Sequence, residues 1–381
     1  MIFRIYTRSS FSVFGGVERM LLTFSSELRN RGHDLDIVSL QSSRSAPQIV
    51  SELKCLPIRK LIMPASRDPR CLPQLMKTIA GIPKLGIPRL IMEDLRNARI
   101  PDLILIIDSP EVVPDVKTAC LRAGVCVPVL YWDHGVIPFQ FSRQNVLKRA
   151  AYYWFKRRVS LKAIRKADLG IAPSGFVAQF LKRAGIPVET VYNPLSEYRG
   201  RPIERPSSPL FLFVGRLNDS AKNLSFLFCS LAKLRESEWR LVITGSGPDE
   251  GNLKSKAQRL GIAEKIEWRG FRSDPFADIR EATCLLITSR SEALSLAALE
   301  ALQRGIPVIS SECGGLEEFI RPGVNGYFFP NDDEEALLSL LKKVIAGELP
   351  FAGPEEIAGS LDEFRVGRVV DRFLKLVKNL K

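Results

Sequence analysis

The stretch "LLITSRSEALSLAALEALQRGIPVISSECGG", residues 285–315, contains a complete unit of parallel α/β structure. An apolar run of strand length leads into a polar loop, a helical segment that begins near Ser295, a turn at "RGIPV", and a second strand and loop. Two carboxylates lie within it, Glu292 in the first loop and Glu300 two helical turns later. This order predicts a parallel sheet whose post-strand loops gather at one edge.

The same alternation of strand and helix patterns continues on both sides of this stretch. Six strand-like runs occur in each half of the 381-residue chain, among them "IFRIYT" and "LILIID" in the first half and "LFLFVG" and "RLVITG" in the second. We therefore predict an α/β protein of two doubly wound, Rossmann-like domains that face a central cleft.

The domain boundaries follow from composition. We predict an N-terminal domain over residues 1–195, a linker rich in Pro, Arg and Ser over 196–209, and a C-terminal domain over 210–358. Residues 359–381 form an amphipathic pattern, which predicts a terminal helix that packs back on the N-terminal domain. Pro83 and Pro88 interrupt residues 73–98, so no element is assigned there.

The excess of positive over negative charge lies in the first half of the chain. Residues 1–198 hold 29 Lys and Arg against 16 Asp and Glu, whereas residues 199–381 hold 26 of each kind, so the first half accounts for the whole net charge of +13. Residues 142–167 contain nine basic residues, no acids and a run of four aromatic residues. This segment suits an anionic membrane surface, with a solvated basic helix as the alternative. Nucleic acid is disfavoured because no nucleic-acid motif accompanies the charge.

Targeting and redox features point to the cytoplasm. No run of 18 or more apolar residues is present, and the N-terminus lacks the apolar core of a signal peptide. The seven cysteines are odd in number and contain no C-x-x-C pair, which is typical of reduced thiols. We expect a cytoplasmic protein that associates peripherally with the inner face of the cell membrane.

Glycine-rich turns and cations follow several predicted strands. Gly15 and Gly16 in "FGGVERM" let the backbone approach a ligand at a helix N-terminus, although they also suit a plain tight turn. Gly245 and Gly247 in "ITGSGPDEGNL" have the same two interpretations. The G-x-G-x-x-G fingerprint is absent, and no ribose-binding acid ends the second strand, which disfavours a nicotinamide-dependent dehydrogenase.

Two cations and two carboxylates form the strongest candidate site. Arg216 and Lys222 in "FVGRLNDSAKNL" are placed to clamp a diphosphate, or are solvated surface cations. Glu292 can reach hydroxyl groups from its loop, and Glu300 on the helix would need hydrogen-bond donors if buried, which sugar hydroxyls supply. The alternative is a helix-capping Glu292 and a solvated Glu300.

These motifs together resemble the family-4 retaining glycosyltransferases, which have the GT-B fold and use nucleotide-activated sugars. The resemblance is carried by "GGVERML", "VYNP", "FVGRLNDSAKNL", "ITGSGPDEGNLKSKAQRLGIAEKIEWRGF" and the stretch from residue 289 to 329, and it is strongest over residues 191–330. Phrases such as "VYNPLS" and "GIPVISSECGG" are most similar to bacterial lipopolysaccharide-core hexosyltransferases of the 1,6-galactosyltransferase group.

The resemblance implies roles for particular residues. By analogy, Glu292 faces the hydroxyls of the transferred sugar, Glu300 holds the ribose, and Arg216 and Lys222 neutralise the diphosphate. The remaining implied site residues are Gly15, Gly16 and Gly245 near the phosphates, the backbone of Ala293, Leu294 and Ser295, Arg269 and Phe271 near the base, and His134 with Asp133 near the donor sugar. The family's usual Gly-Phe after the first acid is replaced here by Ala293-Leu294.

The implied function is retaining transfer of a hexose from a nucleotide sugar, expected to be a UDP-hexose. The nucleotide sugar is a co-substrate, and neither a cofactor nor a metal is expected because no D-x-D motif occurs in a suitable loop. The expected acceptor is a membrane-linked anionic glycan such as lipopolysaccharide core. The alternatives are transfer to a soluble small-molecule acceptor and non-catalytic binding of a nucleotide sugar.

Overall fold

The most apolar runs of the chain become the central strands of two parallel sheets. "LILII", Leu103–Ile107, is buried along its whole length, and "LFLFV", Leu210–Val214, is buried at every residue except the last. Such continuous apolar strands occur where helices cover both faces of a sheet. The predicted α/β class with two doubly wound, Rossmann-like sheets is therefore confirmed.

The computed structural model describes residues 1–7, 9, 15–41, 57–62, 87–134 and 157–380. These residues form two units. The first contains the described residues as far as Ser196 together with the segment from Val366, and the second runs from Glu197 to Arg365. Neighbouring strands are parallel throughout both sheets.

The first unit has a seven-stranded sheet in the order β3-β2-β1-β4-β5-β6-β7. Its strands are β1 (Ile2–Thr7), β2 (Asp34–Gln41), β3 (Ile58–Ile62), β4 (Leu103–Ile107), β5 (Val129–Trp132), β6 (Leu169–Ala172) and β7 (Val188–Thr190). Its first four helices are α1 (Gly16–Asn30), α2 (Ile87–Asn97), α3 (Val113–Ala123) and α4 (Gly175–Arg183), and residues 157–164 are also helical. The strand order reverses between β1 and β4.

The second unit has a six-stranded sheet in the order β10-β9-β8-β11-β12-β13, which reverses between β8 and β11. Its strands are β8 (Leu210–Val214), β9 (Arg240–Thr244), β10 (Ile266–Gly270), β11 (Cys284–Ile287), β12 (Val308–Ser311) and β13 (Gly326–Phe329). Its helices are α5 (Asp219–Lys222), α6 (Leu224–Ala232), α7 (Glu250–Arg259), α8 (Leu296–Gln303), α9 (Glu334–Ile345) and α10 (Pro354–Gly359). Short 3₁₀ turns cover Pro110–Val112, Ala263–Lys265, Gly315–Glu318 and Asp362–Phe364.

The C-terminal helix α11 (Val366–Lys378) belongs to the first unit. Phe373 on this helix is fully buried, with ring centroids 4.9 Å from Phe24 of α1 and 6.3 Å from Trp132 of β5. Arg31, just after α1, donates to the carbonyl of Gly367 at 3.0 Å. Burying an aromatic side chain of this size contributes about 1.5–3 kcal/mol, so α11 is an integral layer of the first unit.

Two segments differ from their sequence-based descriptions. Strand β3 was not predicted because Arg59 and Lys60 interrupt its apolar pattern, and helix α2 occupies part of the region with no assigned element, with Pro88 in its first turn. The predicted linker was 196–209, and its residues 197–209 belong to the second unit, where Ile203 is 6% exposed and donates its amide to the Arg304 carbonyl.

Candidate functional site

The candidate site lies at the reversal of strand order in the second sheet. Strands β8 and β11 are neighbours at the centre, and each chain segment that leaves them turns towards an opposite side of the sheet. The loops at their carboxyl ends are therefore splayed apart, and ligands of open α/β sheets bind at such points. Lys222 follows β8, and Glu292 follows β11.

Lys222 and Glu292 meet directly across this point. Lys222 Nζ lies 2.5 Å from Glu292 Oε1, and Ser289 Oγ donates to the same carboxylate oxygen at 2.7 Å. The two charged side chains are 26% and 12% exposed, so both remain accessible. The structure thus brings together one predicted cation and one predicted carboxylate, and Glu292 does not cap helix α8.

A network that sequence reasoning missed holds the segment carrying Lys222. Thr288 Oγ1 donates to the Lys222 carbonyl at 2.9 Å, and the amide of Arg290 donates to the Ala221 carbonyl at 2.9 Å. The Arg290 guanidinium donates to the carbonyls of Asp219 at 3.3 Å and Ser220 at 3.2 Å. The end of β11 therefore positions the turn of helix that presents Lys222.

Asn223 completes this network. It adopts a left-handed conformation with φ of 56°, and its Oδ1 accepts from Arg290 Nη2 at 2.6 Å. Its Nδ2 donates to Asp332 at 2.9 Å. The sequence offers one signal for this contact, an Asn between two helical segments, and that pattern is too common to indicate a partner 67 positions away.

Main-chain contacts fix Glu292. Its amide donates to the Cys313 carbonyl at 2.7 Å, and its carbonyl accepts from Gly315 at 3.3 Å. These bonds join the loops that follow β11 and β12. Because the backbone of Glu292 is tied at both polar groups, its carboxylate is held at the sheet edge.

The three residues after Glu292 differ in what they can offer a ligand. Leu294 is 1% exposed, so its side chain belongs to the core and only its backbone can line a site. Ser295 has a φ of 65°, which is uncommon for a residue with a side chain, and it immediately precedes α8. Ala293 and Ser295 remain partly exposed. Non-glycine residues with positive φ often occur at functional sites.

Glu300 lies on α8 and is 5% exposed. The alternative of a solvated helix residue is therefore wrong. Arg304 Nη1 donates to the main-chain carbonyl of Glu300 at 3.1 Å, and Arg304 also contacts Asp274 at 3.2 Å. A carboxylate at this depth requires hydrogen-bond donors around it.

Arg216 stands apart from the other charged residues. It is exposed, and it makes no ion pair or side-chain hydrogen bond with any described residue. It follows Gly215 in the loop after β8, the same loop that leads to Lys222. Arg216 is therefore a cation that an anionic ligand could engage without breaking an existing bond.

Gly245 and Gly247, in the loop after β9, are both required by close backbone packing. A Cβ on Gly245 would lie 1.8 Å from the carbonyl oxygen of Gly215, and a Cβ on Gly247 would lie 2.3 Å from that of Leu217. The Leu217 amide also donates to the Ser246 carbonyl at 2.9 Å. The loops after β8 and β9 are thus packed backbone to backbone, and a side chain at either glycine would separate them.

The residues implied for the base lie at the end of β10, next along the sheet edge. Arg269 donates to Glu267 at 2.7 Å, so its charge is already paired. Phe271 is 49% exposed, which is unusual for a large apolar side chain. Gly270 accepts a hydrogen bond from the Gly245 amide at 2.8 Å, which places this end beside the glycine loop.

In the first unit, Gly15 and Gly16 follow β1 at the reversal of strand order. Glu18 Oε2 accepts from the Gly15 amide at 3.0 Å at the start of α1, and Ser9 donates to the other carboxylate oxygen. Gly16 is the first residue of the helix and is exposed. The amide end of α1 is therefore partly occupied by its own carboxylate.

His134 follows β5, two strands from β1. Its ring stacks on Trp132 with centroids 5.7 Å apart, and its Nε2 has no hydrogen-bond partner in the described part of the chain. Burial lowers the pKa of His134 to about 3, so the imidazole is neutral at physiological pH. Asp133 is fully buried and accepts from Tyr131 at 3.1 Å.

Metal clusters and membrane-spanning helices are both absent from the described residues. Within residues 1–7, 9, 15–41, 57–62, 87–134 and 157–380, no group of three or more His, Cys, Asp or Glu side chains has the spacing of a metal site. None of the helices in the same part of the chain is long and apolar enough to cross a membrane.

Comparison with known proteins identifies the family. Residues 14–197 match the family described as Glycosyltransferase Family 4, and residues 196–356 match that described as Glycosyl transferases group 1. The chain is 33% identical over 275 residues to lipopolysaccharide 1,6-galactosyltransferase of Salmonella typhimurium, covering 69% of this chain and 71% of that protein. It is 30% identical over 289 residues to the protein of that name from Escherichia coli, covering 73% and 74%.

Solved structures agree in fold. The apo form of the lipopolysaccharide outer core galactosyltransferase WaaB matches with a TM-score of 0.77 and 24% identity over 100% of both chains. Anabaena HepE in complex with UDP and glucose matches with a TM-score of 0.71 and 18% identity over 99% of both chains. With its two doubly wound units and its 30–33% identity to these galactosyltransferases, the chain belongs to the family-4 glycosyltransferases of GT-B fold.

Proposed function

We propose that this glycosyltransferase moves a hexose from a UDP-hexose to a membrane-linked anionic glycan such as lipopolysaccharide core, with retention at the anomeric carbon. Two relatives at 30–33% identity are named lipopolysaccharide 1,6-galactosyltransferase, and a structural relative binds UDP and glucose. UDP-galactose and a 1,6 linkage are therefore the first donor and product to test.

The observation that carries this proposal is the Lys222–Glu292 pair at the reversal of strand order. The pair offers a cation for a diphosphate and a carboxylate for sugar hydroxyls within one contact distance. Arg216 supplies a second cation with no partner to give up among the described residues. In a sugar diphosphate, the diphosphate and the sugar hydroxyls are adjacent, so one ligand can contact the cations and the carboxylate together.

The chemistry asked of these residues is electrostatic. When the bond between the sugar C1 and the β-phosphate oxygen breaks, negative charge grows on the departing UDP, and Arg216 and Lys222 stabilise it. The acceptor hydroxyl forms the new bond to C1 from the same face, and its proton passes to the departing phosphate oxygen. Fixed cations perform this role without a metal ion. Glu292 orients the sugar by accepting from its hydroxyls.

Donor binding then requires an exchange of partners. Lys222 Nζ and Ser289 Oγ now donate to Glu292, and a diphosphate would compete for Lys222. The sugar hydroxyls replace the lost donor on Glu292. Arg290 acts as a positioning residue, because it holds the backbone of the segment that presents Lys222.

The remaining roles follow the family resemblance. We assign Glu300 to the ribose, the backbone of residues 293–295 and Gly245 to the sugar and phosphates, and Arg269 with Phe271 to the base. In the first unit, Gly15, Gly16 and His134 contribute to the phosphate, acceptor and donor-sugar surroundings. The acceptor glycan is assigned to this unit.

Peripheral binding to the cytoplasmic face of the membrane is part of the proposal. The basic segment 142–167 lies mainly outside the described residues, but Arg157 and Arg158, the first residues of the segment that the structure describes, are exposed. Neutralising both should weaken binding to anionic vesicles, most visibly at low salt. Unchanged binding would leave the segment a solvated helix.

The decisive experiment is a donor and acceptor screen. The purified enzyme is given UDP-galactose, UDP-glucose, UDP-N-acetylglucosamine and their GDP counterparts with truncated core lipopolysaccharide, and the anomeric configuration and linkage of the product are determined by NMR. Transfer with retention from one UDP-hexose is expected, and it should be lost in Arg216→Ala without loss of thermal stability. Donor binding with neither transfer nor hydrolysis would instead identify a nucleotide-sugar binding protein.

A further inference from the structure

A second polar cavity lies at the opposite edge of the first sheet. The amino-edge pocket, with a volume of about 580 Å³, is formed where strands β1, β2 and β3 begin and where helices α1 and α2 end. In this unit the proposed site residues Gly15, Gly16 and His134 follow the carboxyl ends of strands. The pocket is therefore separated from these three residues by the length of the sheet.

The pocket has an excess of positive charge. Arg4, Arg29, Arg59 and Arg99 line it with two carboxylates, Asp34 and Asp36, and a third carboxylate, Asp94, pairs with Arg4 and Arg59, which leaves an excess of one positive charge. These arginines come from β1, α1, β3 and the loop before β4, so four separate elements deliver guanidinium groups to one cavity.

Arg4 and Arg59 are held rigidly. Arg4 is 1% exposed, and its Nε donates to Asp36 at 3.1 Å while Nη2 donates to the carbonyl of Arg99 at 2.9 Å. Arg59 donates to Asp36 at 2.7 Å and to Asp94 at 2.6 Å. The guanidinium orientations are thus set before any ligand arrives, which lowers the entropy cost of binding.

One buried donor of Arg4 makes an ion-pair contact but no hydrogen bond with a described residue. Arg4 Nη1 lies 3.6 Å from Asp94 Oδ2 and has no hydrogen-bond partner among the described residues. Asp94 already accepts from Tyr6 at 2.8 Å and from Arg59. A buried charged donor without an acceptor is unfavourable, and an oxyanion in the pocket would satisfy it.

Arg99 is the adaptable member of the set. It pairs with Asp34 at 3.2 Å, but the two side chains are 77% and 67% exposed. Exposed pairs of this kind contribute little stability, so Arg99 can turn towards a ligand at small cost. His33 also lines the pocket, and burial together with the positive charges of the chain's amino group, Arg31 and Lys378 lowers its pKa.

We propose that the amino-edge pocket binds a phosphate-bearing group at a site distinct from that of the nucleotide sugar. Tetrahedral oxyanions match the paired N–H groups of guanidinium, and arginine forks are the usual choice for phosphate. The volume exceeds that of a phosphate alone, which leaves room for an attached sugar or glycerol. The phosphate belongs either to a soluble ester or to a lipid headgroup.

The test compares two variants of equal charge. Arg29→Gln with Arg99→Gln removes two exposed arginines of the pocket and leaves the Arg4–Asp36–Arg59 network intact. Arg89→Gln with Arg122→Gln removes two exposed arginines of the same unit outside the pocket. Binding of inorganic phosphate, glycerol 3-phosphate and UDP is measured by calorimetry at constant ionic strength, with thermal unfolding as a check of the fold.

The expected result is phosphate binding that weakens about ten-fold or more in the pocket variant, with the control variant unchanged. UDP affinity should be equal in all three proteins, which separates this proposal from the donor site. No binding of either phosphate probe to the natural sequence, or equal weakening in both variants, would overturn it.

Binding to vesicles distinguishes a lipid headgroup from a soluble phosphate ester as the ligand. Sedimentation is compared for phosphatidylcholine vesicles with and without phosphatidylglycerol. Loss of phosphatidylglycerol-dependent binding in the pocket variant, with competition by glycerol 3-phosphate, identifies the lipid headgroup. Phosphate binding lost while vesicle binding is retained identifies the soluble ester.

Discussion

The two units reverse strand order at equivalent places but fill them with different chemistry. In the second unit, Lys222 and Glu292 meet across β8 and β11. In the first, the Gly15 amide after β1 is occupied by Glu18, and His134 after β5 is neutral. The arginines of the first unit instead gather at the amino edge. The same topology thus provides two places for a ligand, and the loop residues decide which is charged.

The largest effect is expected from breaking the charged pair. Lys222→Ala and Glu292→Ala should each lower turnover by about 10²- to 10³-fold, because a preorganised group that stabilises the transition state is lost. Steady-state kinetics with UDP-galactose and core lipopolysaccharide measure this. Lys233→Ala removes an exposed lysine paired with Glu334 and serves as the control. Full turnover in both variants would mean that the pair is only structural.

The glycine contact is expected to affect stability rather than charge. Gly245→Ala places a Cβ 1.8 Å from the Gly215 carbonyl at a φ of 144°, so unfolding free energy should fall by about 3 kcal/mol. Denaturant unfolding compares it with Gly251→Ala, whose added Cβ meets nothing within 4 Å on helix α7. That control should be neutral or stabilising, since Ala favours helix. Equal stability of the two variants would show that the loops can separate freely.

A smaller effect is expected from the positioning residue. Arg290→Ala should lower kcat/KM about ten-fold, because Lys222 loses the contacts that hold its segment. Arg290→Lys can restore one of these bonds and should recover part of the activity. Weakened UDP binding measured by calorimetry, at unchanged melting temperature, distinguishes positioning from general destabilisation. Unaltered UDP affinity in Arg290→Ala would contradict the role.

The smallest effect concerns the neutral histidine of the first unit. The pKa of His134 is lowered by burial from 6.5 to about 3, so the unfolded chain binds a proton more readily than the folded one. The contribution of neutral His134 to the free energy of unfolding is therefore present above pH 6.5 and is lost progressively as the pH falls towards 3. Between pH 7 and pH 6 the free energy of unfolding should fall by roughly 0.7 kcal/mol because of this histidine.

Urea unfolding of the natural sequence and of His134→Gln at these two pH values measures this difference. The variant should lose most of the pH dependence in this interval. His33, the other histidine of the chain, also has a lowered pKa and contributes in the same direction in both proteins. An identical pH dependence in the variant would show that His134 is accessible to protons.

Some features were predictable because they depend on local pattern. The apolar runs at β4 and β8, the helix after Ser295 and the family motifs around Glu292 are all legible along the chain. Strand β3 was not, since Arg59 makes it look exposed until Asp36 and Asp94 are brought alongside. The hydrogen bonds from Arg290 to the segment that carries Lys222 join residues about 70 positions apart, and no local sequence pattern indicates them.

The sequence by itself therefore determined the parallel α/β architecture, the glycosyltransferase family and the residue types at the candidate site, because periodicity and motifs are properties of neighbouring residues. Only the tertiary structure decided that Lys222 pairs with Glu292, that Gly245 has no room for a side chain beside the Gly215 carbonyl, and that four arginines line one pocket. These are distances between strands, and they are set when parallel strands bring remote loops to a common edge.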